Sequence, residues 1–170
     1  MVFDRETIRA LEQFTPVPWE GIVFRHMFAD FPPERENVRG ARWNPPQIPA
    51  IYTSVGRETA IAEADYYIGL QPIKPRARRI VYRIQVTLAS VLDLSGSPAL
   101  SKLGLNDESL ASIDHSECRR VGGAVEWLGH DGLLVPSART DGTNLIIFPN
   151  RKTPDFRFEV LDSEELADPV

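Results

Sequence analysis

The apolar positions of this 170-residue chain recur with two different periods, and each period predicts one kind of element. Helical spacing predicts helices at residues 4–14, 54–68, 106–113 and 117–128. Two-residue alternation, or a short apolar run between turn residues, predicts strands at residues 21–27, 50–53, 80–86, 91–94, 133–135, 144–148 and 156–161. Because strands outnumber helices and do not alternate regularly with them, we expect a mixed α+β fold with small β-sheets and flanking helices, rather than a doubly wound parallel sheet.

A long segment at residues 30–49 interrupts both patterns. It contains five prolines and little periodicity, so we expect an ordered loop. Loops of this length inside compact domains are often functional. The chain shows no internal repeat and no convincing linker, and we therefore expect one domain over residues 1–170.

Composition and charge narrow the class of protein. The net charge of −5 argues against general nucleic-acid binding, although ten of the 19 lysines and arginines fall between residues 20 and 85. No apolar run approaches the ~20 residues that cross a bilayer, and the first residues lack a signal-peptide pattern. Cys118 has no partner for an internal disulfide. We expect a cytoplasmic protein that binds neither membranes nor nucleic acid directly.

Several common site motifs are absent from the sequence. It has no Gly-x-Gly-x-x-Gly run after a strand, no Walker-type phosphate loop and no Gly-x-Ser-x-Gly elbow. The three histidines have no spacing typical of a triad or of a metal site. We therefore expect no bound metal, and any nucleotide would be held by a different kind of cradle.

Two arginines are candidate anion-binding groups. Arg42 lies in the proline-rich loop beside Trp43, and a stiff loop loses less entropy when it orders a guanidinium for phosphate oxygens. The alternative is a surface arginine stacked on Trp43. Arg25 is the only charged residue of an otherwise apolar stretch, so it either binds a pyrophosphate or faces water on a half-exposed sheet.

Glu63 is the candidate catalytic carboxylate. It lies at the margin of the buried face of the predicted helix 54–68, where it could stabilise positive charge on a sugar carbon or position a ribose hydroxyl. The alternative is an ordinary boundary glutamate. Tyr52 precedes this helix and could stack on a planar base or belong to the core, and Ser137 follows a buried strand and could hydrogen-bond a ligand.

These residues lie in blocks that together resemble one family, the RES domain, named after an arginine, a glutamate and a serine. The blocks are GARWNPP at 40–46, IYTS at 51–54, TAIAE at 59–63, DGLLVPSAR at 131–139 and GTNLIIF at 142–148. Their order and spacing cover a motif core of about residues 20–150. Each block is weak alone, and the combination is what identifies the family.

The resemblance implies a fold, a reaction and a partner. RES proteins resemble ADP-ribosyltransferase toxins, pair with Xre-type helix-turn-helix antitoxins, and consume NAD+ by hydrolysis or phosphorolysis, while some transfer ADP-ribose to protein. The resemblance also implies a role for each candidate residue.

Carried over to this chain, Arg25 and Arg42 would bind the phosphates, and Tyr52 would stack near the nicotinamide. Glu63 would stabilise the ribosyl cation. Ser137 and Asn144 would hydrogen-bond the nicotinamide ribose or amide.

Three functions stay open at this point: NAD+ depletion, protein ADP-ribosylation, and non-catalytic binding of a nucleotide or an antitoxin. A homodimer also stays open. Nicotinamide leaves as a neutral molecule, so one carboxylate without a strong general acid suffices for cleavage. The chain departs from the family at Ala41 and Gln47, where glycines are common, and this affects the path of the loop backbone more than its chemistry.

Overall fold

The computed structural model describes residues 3–167, without the side chain of Ser97, and has a sheet with flanking helices. Within that range the α-helices are Arg5–Glu12 (α1), Arg57–Gly69 (α2), Ser97–Lys102 (α3), Asp107–Ala111 (α4) and Ser116–Trp127 (α5). The strands are Val17–Phe28 (β1), Ile51–Ser54 (β2), Arg79–Asp93 (β3), Gly132–Pro136 (β4), Thr143–Ile147 (β5) and Arg157–Leu166 (β6). The predicted mixed fold of sheet and helices is confirmed.

The strands pair in the order β1-β2-β5-β4-β3-β6, and β1 also pairs with β3. Five strands therefore form a closed ring, with β6 added along the free edge of β3. The β3–β4 pairing is parallel and the other pairings are antiparallel. β1 and β2 share a single registered pair, Phe24 with Ser54, so the ring is weakly closed at this point.

Two apolar clusters hold the sheet and helices together. One packs α1, α5 and the loop before β2 against the sheet, and includes Leu11, Trp43, Val125 and Phe148. The other lies within the strands and includes Val23, Ile84, Val86, Leu145 and Ile147. Trp43 is only 2% exposed, so the part of the loop that carries the candidate arginine belongs to the core.

Several predicted boundaries were wrong. The predicted strands 80–86 and 91–94 are one strand, β3, because Leu88 is buried and the ladder with β1 continues across the intervening residues. Ser54 was expected to begin a helix, but it ends β2 and α2 begins at Arg57. The predicted helix 106–113 ends at Ala111, and α3 was not predicted.

A pair of glycines in α5 brings that helix against the proline-rich loop. A β-carbon added to Gly122 would lie 1.8 Å from the carbonyl oxygen of Trp43, and one added to Gly123 would lie 3.3 Å from Cγ of Pro45. A separation of 1.8 Å is far inside van der Waals contact, so no residue with a side chain fits at position 122 in this packing. The loop and α5 therefore touch backbone to backbone.

Candidate active site

A cavity of about 370 Å³ opens where β1 and β2 diverge, between the proline-rich loop and α2. This volume lies in the range typical of small-molecule sites. The lining residues include five of the six candidate residues, namely Arg25, Arg42, Tyr52, Glu63 and Asn144. Ser137, the sixth, hydrogen-bonds to Glu63 at the cavity wall. The structure thus brings together groups that are more than 110 residues apart in sequence.

One oxygen of the Glu63 carboxylate is held by two donors. Oε1 accepts a hydrogen bond from Oγ of Ser137 at 2.7 Å and another from Nδ2 of Asn144 at 3.0 Å. Among residues 3–167, Oε2 has no hydrogen-bond partner and Glu63 forms no ion pair. Bonds to a charged acceptor fix its orientation more firmly than neutral ones do. The two bonds to Oε1 fix the carboxylate in the cavity wall and leave Oε2 available to a ligand.

The strand register explains why the two donors meet at Glu63. Asn144 lies in β5 and pairs with Ser54 of β2 on one side and with Val135 of β4 on the other. Ser137 follows directly after β4, so it reaches the same edge of the sheet. The sequence-based expectation placed both donors on the nicotinamide ribose or amide; in the structure both contact the carboxylate.

Ser54 completes this hydrogen-bonded chain and was missed by the sequence analysis. Its Oγ donates to Oδ1 of Asn144 at 2.7 Å, and the residue is 4% exposed. A usable signal was present: Ser54 lies two positions after Tyr52, and alternate residues of a strand face the same side. The signal was lost because Ser54 was assigned to the helix rather than to β2.

Asn44 is the hydrogen-bonding centre of the proline-rich loop and is fully buried. Its Oδ1 accepts from the hydroxyl of Tyr52 at 2.6 Å and from the backbone N–H of Ala41 at 3.1 Å, and its Nδ2 donates to the carbonyl of Ile48 at 2.8 Å. The hydroxyl of Tyr52 also accepts from the backbone N–H of Trp43 at 2.9 Å. Tyr52 therefore clamps the loop to β2 through its hydroxyl, while its ring lines the cavity.

Arg42 is not a surface arginine, because it is only 8% exposed. Its Nη1 donates to the carbonyls of Ser112 at 2.9 Å and Ser109 at 3.4 Å, at the C-terminal end of α4. No carboxylate within the described residues pairs with this guanidinium. Burial, followed by the charges of Arg42 and Arg119, lowers the pKa of His115. A buried guanidinium that bonds only to neutral carbonyls among the described residues suits an anionic ligand group.

Arg25 lines the same cavity, but loop carbonyls already bind its guanidinium. Nη1 donates to the carbonyl of Pro33 and Nη2 to that of Arg35, the latter at 2.6 Å. Burial lowers its pKa to about 10, which still leaves it charged at neutral pH. Arg25 therefore anchors the proline-rich loop on β1, and its predicted contact with phosphate stays a prediction.

Ala41 and Gln47, the two positions at which glycine is common in the family, differ in backbone conformation. Gln47 has φ of 77°, in the left-handed region that glycine adopts most easily, so the glycine common in the family has a physical reason here. Ala41 does not have a positive φ; the left-handed residue of that block is Gly40, at 95°. Of these two positions, only Gln47 therefore carries backbone strain.

His26 lines the cavity and belongs to a network that sequence reasoning also missed. Its Nε2 accepts from Nε of Arg79 at 2.9 Å, and Nη2 of Arg79 bonds to Asp65 at 2.6 Å. Burial, together with the charge of Arg79, lowers the pKa of His26 to about 4. His26 is thus neutral at physiological pH, and the network attaches α2, which carries Glu63, to β1 and β3.

No metal centre or membrane span was found in the part of the chain that the structure describes. Residues 3–167 contain no group of three or more His, Cys, Asp or Glu side chains arranged to hold a metal ion. Within the same range, every helix is too short or too polar to cross a bilayer.

Comparisons with known proteins agree on one family. The NAD(+) phosphorylases MbcT of Mycobacterium bovis and of Mycobacterium tuberculosis are each 33% identical over 122 residues, which is 68% of this chain and 64% of theirs. The chain therefore spans slightly less than two thirds of the length of these curated relatives. One chain of the solved M. tuberculosis MbcT–MbcA toxin–antitoxin complex superposes with a TM-score of 0.87 at 25% identity, over 97% of this chain and 94% of that one. The sequence model of the RES domain matches residues 18–167, and this chain belongs to the RES domain family.

Proposed function

We propose that this protein cleaves the bond between nicotinamide and ribose in NAD+, with inorganic phosphate as the preferred acceptor of the ADP-ribosyl group. The observation that carries the proposal is the fixed carboxylate of Glu63 in the wall of a cavity that is also lined by Arg42, a cation without a carboxylate partner among residues 3–167. The relatives named as NAD(+) phosphorylases support phosphate over water as acceptor. Depletion of NAD+ would make the protein a toxin, as the toxin–antitoxin complex among its structural neighbours suggests.

The chemistry follows from the charges in the cavity. As the bond from ribose C1′ to the nicotinamide nitrogen breaks, its electron pair leaves with nicotinamide and positive charge develops on the sugar. Glu63 stabilises that charge through its unoccupied oxygen, and it needs no proton transfer because nicotinamide leaves neutral. A phosphate oxygen then forms the new bond to C1′ and gives the 1-phosphate of ADP-ribose.

Arg42 supplies the matching binding site for the ligand's phosphates. Its Nη1 is fixed by two carbonyls, so the guanidinium is oriented before the ligand arrives. Arg25 and Tyr52 contribute by holding the loop and lining the cavity, and the ring of Tyr52 is the surface on which the nicotinamide would stack. The reaction proposed requires no metal.

We further propose the biological setting that the family implies. The partner is an antitoxin of the Xre helix-turn-helix type, residues 1–170 act as a single domain, and the site of action is the cytoplasm, where NAD+ and phosphate are both present. Expression of the parent protein in bacteria without antitoxin is expected to arrest growth. The variant Glu63→Gln is expected to remove that arrest at equal protein level.

Mass-spectrometric product analysis tests the reaction. The purified protein is incubated with NAD+, with and without phosphate, beside Glu63→Gln and a matched control, Glu58→Gln, an exposed glutamate in the first turn of the same helix. We expect nicotinamide and ADP-ribose 1-phosphate from the parent and from Glu58→Gln, and at least a hundredfold slower release from Glu63→Gln.

Other outcomes would identify the alternatives. Free ADP-ribose irrespective of phosphate would indicate hydrolysis, and adenylate label on a protein would indicate ADP-ribosyl transfer. No nicotinamide from freshly folded parent protein would leave a binding module. Release from Glu63→Gln at the parent's rate would remove Glu63 from the mechanism.

A further inference from the structure

Asn144 is hydrogen-bonded from two sides, and the two bonds require opposite ends of its amide. Its Nδ2 donates to Oε1 of Glu63 at 3.0 Å, while its Oδ1 accepts from Oγ of Ser54 at 2.7 Å. The reversed amide would place Oδ1 against the carboxylate oxygen, two acceptors in contact. The carboxylate, which only accepts, sets the orientation of the amide, and the hydroxyl of Ser54 then donates to the amide oxygen and holds it in place.

We infer that Ser54 is a positioning residue for Glu63 and acts through the side-chain amide of Asn144. The inference rests on the proposed function, because it assigns to Ser54 a role in presenting the carboxylate that function requires. Ser54 does not need to touch the substrate. It holds the amide that holds the carboxylate, as outer ligands do around metal-binding histidines.

The backbone makes this chain of bonds rigid. Ser54 and Asn144 are directly opposed in the β2–β5 ladder, and Ser54 is also the residue at which β2 meets β1. Both partners thus belong to strands rather than loops, where a site is positioned most firmly. Ser54 lines the cavity together with Asn144 but is only 4% exposed, because its hydroxyl is directed to Asn144.

The consequence is a carboxylate with two unequal oxygens. Oε1 receives both protein bonds, from Ser137 and from Asn144. Oε2 is then the oxygen left to face the sugar. If the amide of Asn144 turns, one of the two bonds is lost and the carboxylate can rotate, which lowers the rate of the chemical step more than it weakens ligand binding.

Steady-state kinetics of nicotinamide release test the inference. Ser54→Ala is expected to lower kcat about tenfold and leave KM within about twofold, the size of effect that outer positioning contacts usually have. Ser54→Thr restores a hydroxyl and is expected to recover most of kcat. Ser90→Ala is the matched control, because its hydroxyl also makes one side-chain hydrogen bond, to Nδ1 of His130 at 2.8 Å, outside the cavity.

A double-mutant cycle with Asn144→Ala separates a relay from a general structural role. If Ser54 acts through Asn144, then Ser54→Ala has no further effect once Asn144 is gone, whereas independent roles would multiply the two losses. A parent-like kcat in Ser54→Ala, or multiplicative losses in the double variant, would overturn the inference.

A measurement that does not depend on activity keeps this inference distinct from the proposed function. In ¹⁵N-labelled protein, the side-chain amide protons of Asn144 are identified by their absence in Asn144→Ala. We expect them to exchange slowly with water in the parent and in Ser90→Ala, and at least tenfold faster in Ser54→Ala. Unchanged exchange in Ser54→Ala would overturn the inference even if the parent released no nicotinamide.

Discussion

Backbone strain in this protein is found at an exposed residue, Gln47. It adopts φ of 77°, and its side chain is exposed. The strain is therefore not offset by burial of the side chain. The loop path is imposed from elsewhere, by Asn44 and by the bond from the N–H of Gln47 to the carbonyl of Val38 at 2.9 Å.

Replacing this residue by glycine should stabilise the protein. A residue with a side chain in the left-handed conformation costs about 1–2 kcal/mol, and glycine removes this cost. The greater conformational entropy of glycine in the unfolded chain offsets about 0.5–1 kcal/mol of the gain. We expect Gln47→Gly to raise the free energy of unfolding by about 0.5–1 kcal/mol in urea denaturation. Gln71→Gly is the control, since Gln71 is exposed without a positive φ and should lose stability. Equal effects at both positions would contradict the explanation.

His26 gives the protein a pH dependence of stability. Its pKa is about 4 when folded and about 6.5 when unfolded, so between these values the unfolded chain binds the extra proton. Stability is therefore lost as the pH falls from 6.5 towards 4. We expect the Tm of the parent to fall more steeply in this range than that of His26→Gln, whose amide oxygen can still accept from Arg79. Parallel curves for the two proteins would show that other groups dominate.

At the scale of elements, the contact between α5 and the proline-rich loop decides where Arg42 lies. The glycine pair at 122 and 123 weakens a helix judged by local propensity, yet α5 forms, because the glycines allow the backbones to touch. The helix could be predicted from its apolar spacing. The reason for its glycines could not, because the partner backbone of Trp43 is almost 80 residues away in sequence.

The two glycines should respond very differently to alanine. Gly122→Ala places a β-carbon 1.8 Å from a backbone oxygen, and we expect about 3 kcal/mol of destabilisation, together with a raised KM for NAD+ as the loop moves away. Gly123→Ala meets its nearest atoms at 3.3 Å, and the better helix propensity of alanine should keep it within about 1 kcal/mol of the parent. Urea denaturation and kinetics of both variants check this. A well-tolerated Gly122→Ala would mean that the loop and helix are not held in this packing.

Across the whole molecule, local patterns predicted the strands well and the connections between them poorly. Alternation marks β1, and a short apolar run buried on both faces marks β5, whereas the joining of 80–86 and 91–94 into β3 depends on β1 lying alongside. The site follows the same division. Arg42, Glu63 and Ser137 could be named from motif blocks. The roles of Ser54 and His26 depend on Asn144 and Arg79, which lie in strands distant in sequence, whereas Asn44 contacts the nearby Tyr52 and lies within a motif block.

Ligand binding should stabilise the whole fold, because the cavity walls come from β1, β2, α2 and the loop together. Glu63→Gln makes this measurable, since it is expected to bind NAD+ without consuming it. At a ligand concentration of 100 Kd, binding adds about 2.7 kcal/mol to the free energy of unfolding, which corresponds to a Tm increase of about 5–10 °C for a chain of this size.

Two arginine variants in the Glu63→Gln background test where the phosphates bind. Arg42→Ala should abolish most of the Tm increase, whereas Arg39→Ala, which changes an exposed arginine of the same loop, should preserve it. Thermal denaturation with and without NAD+ measures these shifts, and a shift that persists without Arg42 would place the phosphates of the ligand elsewhere.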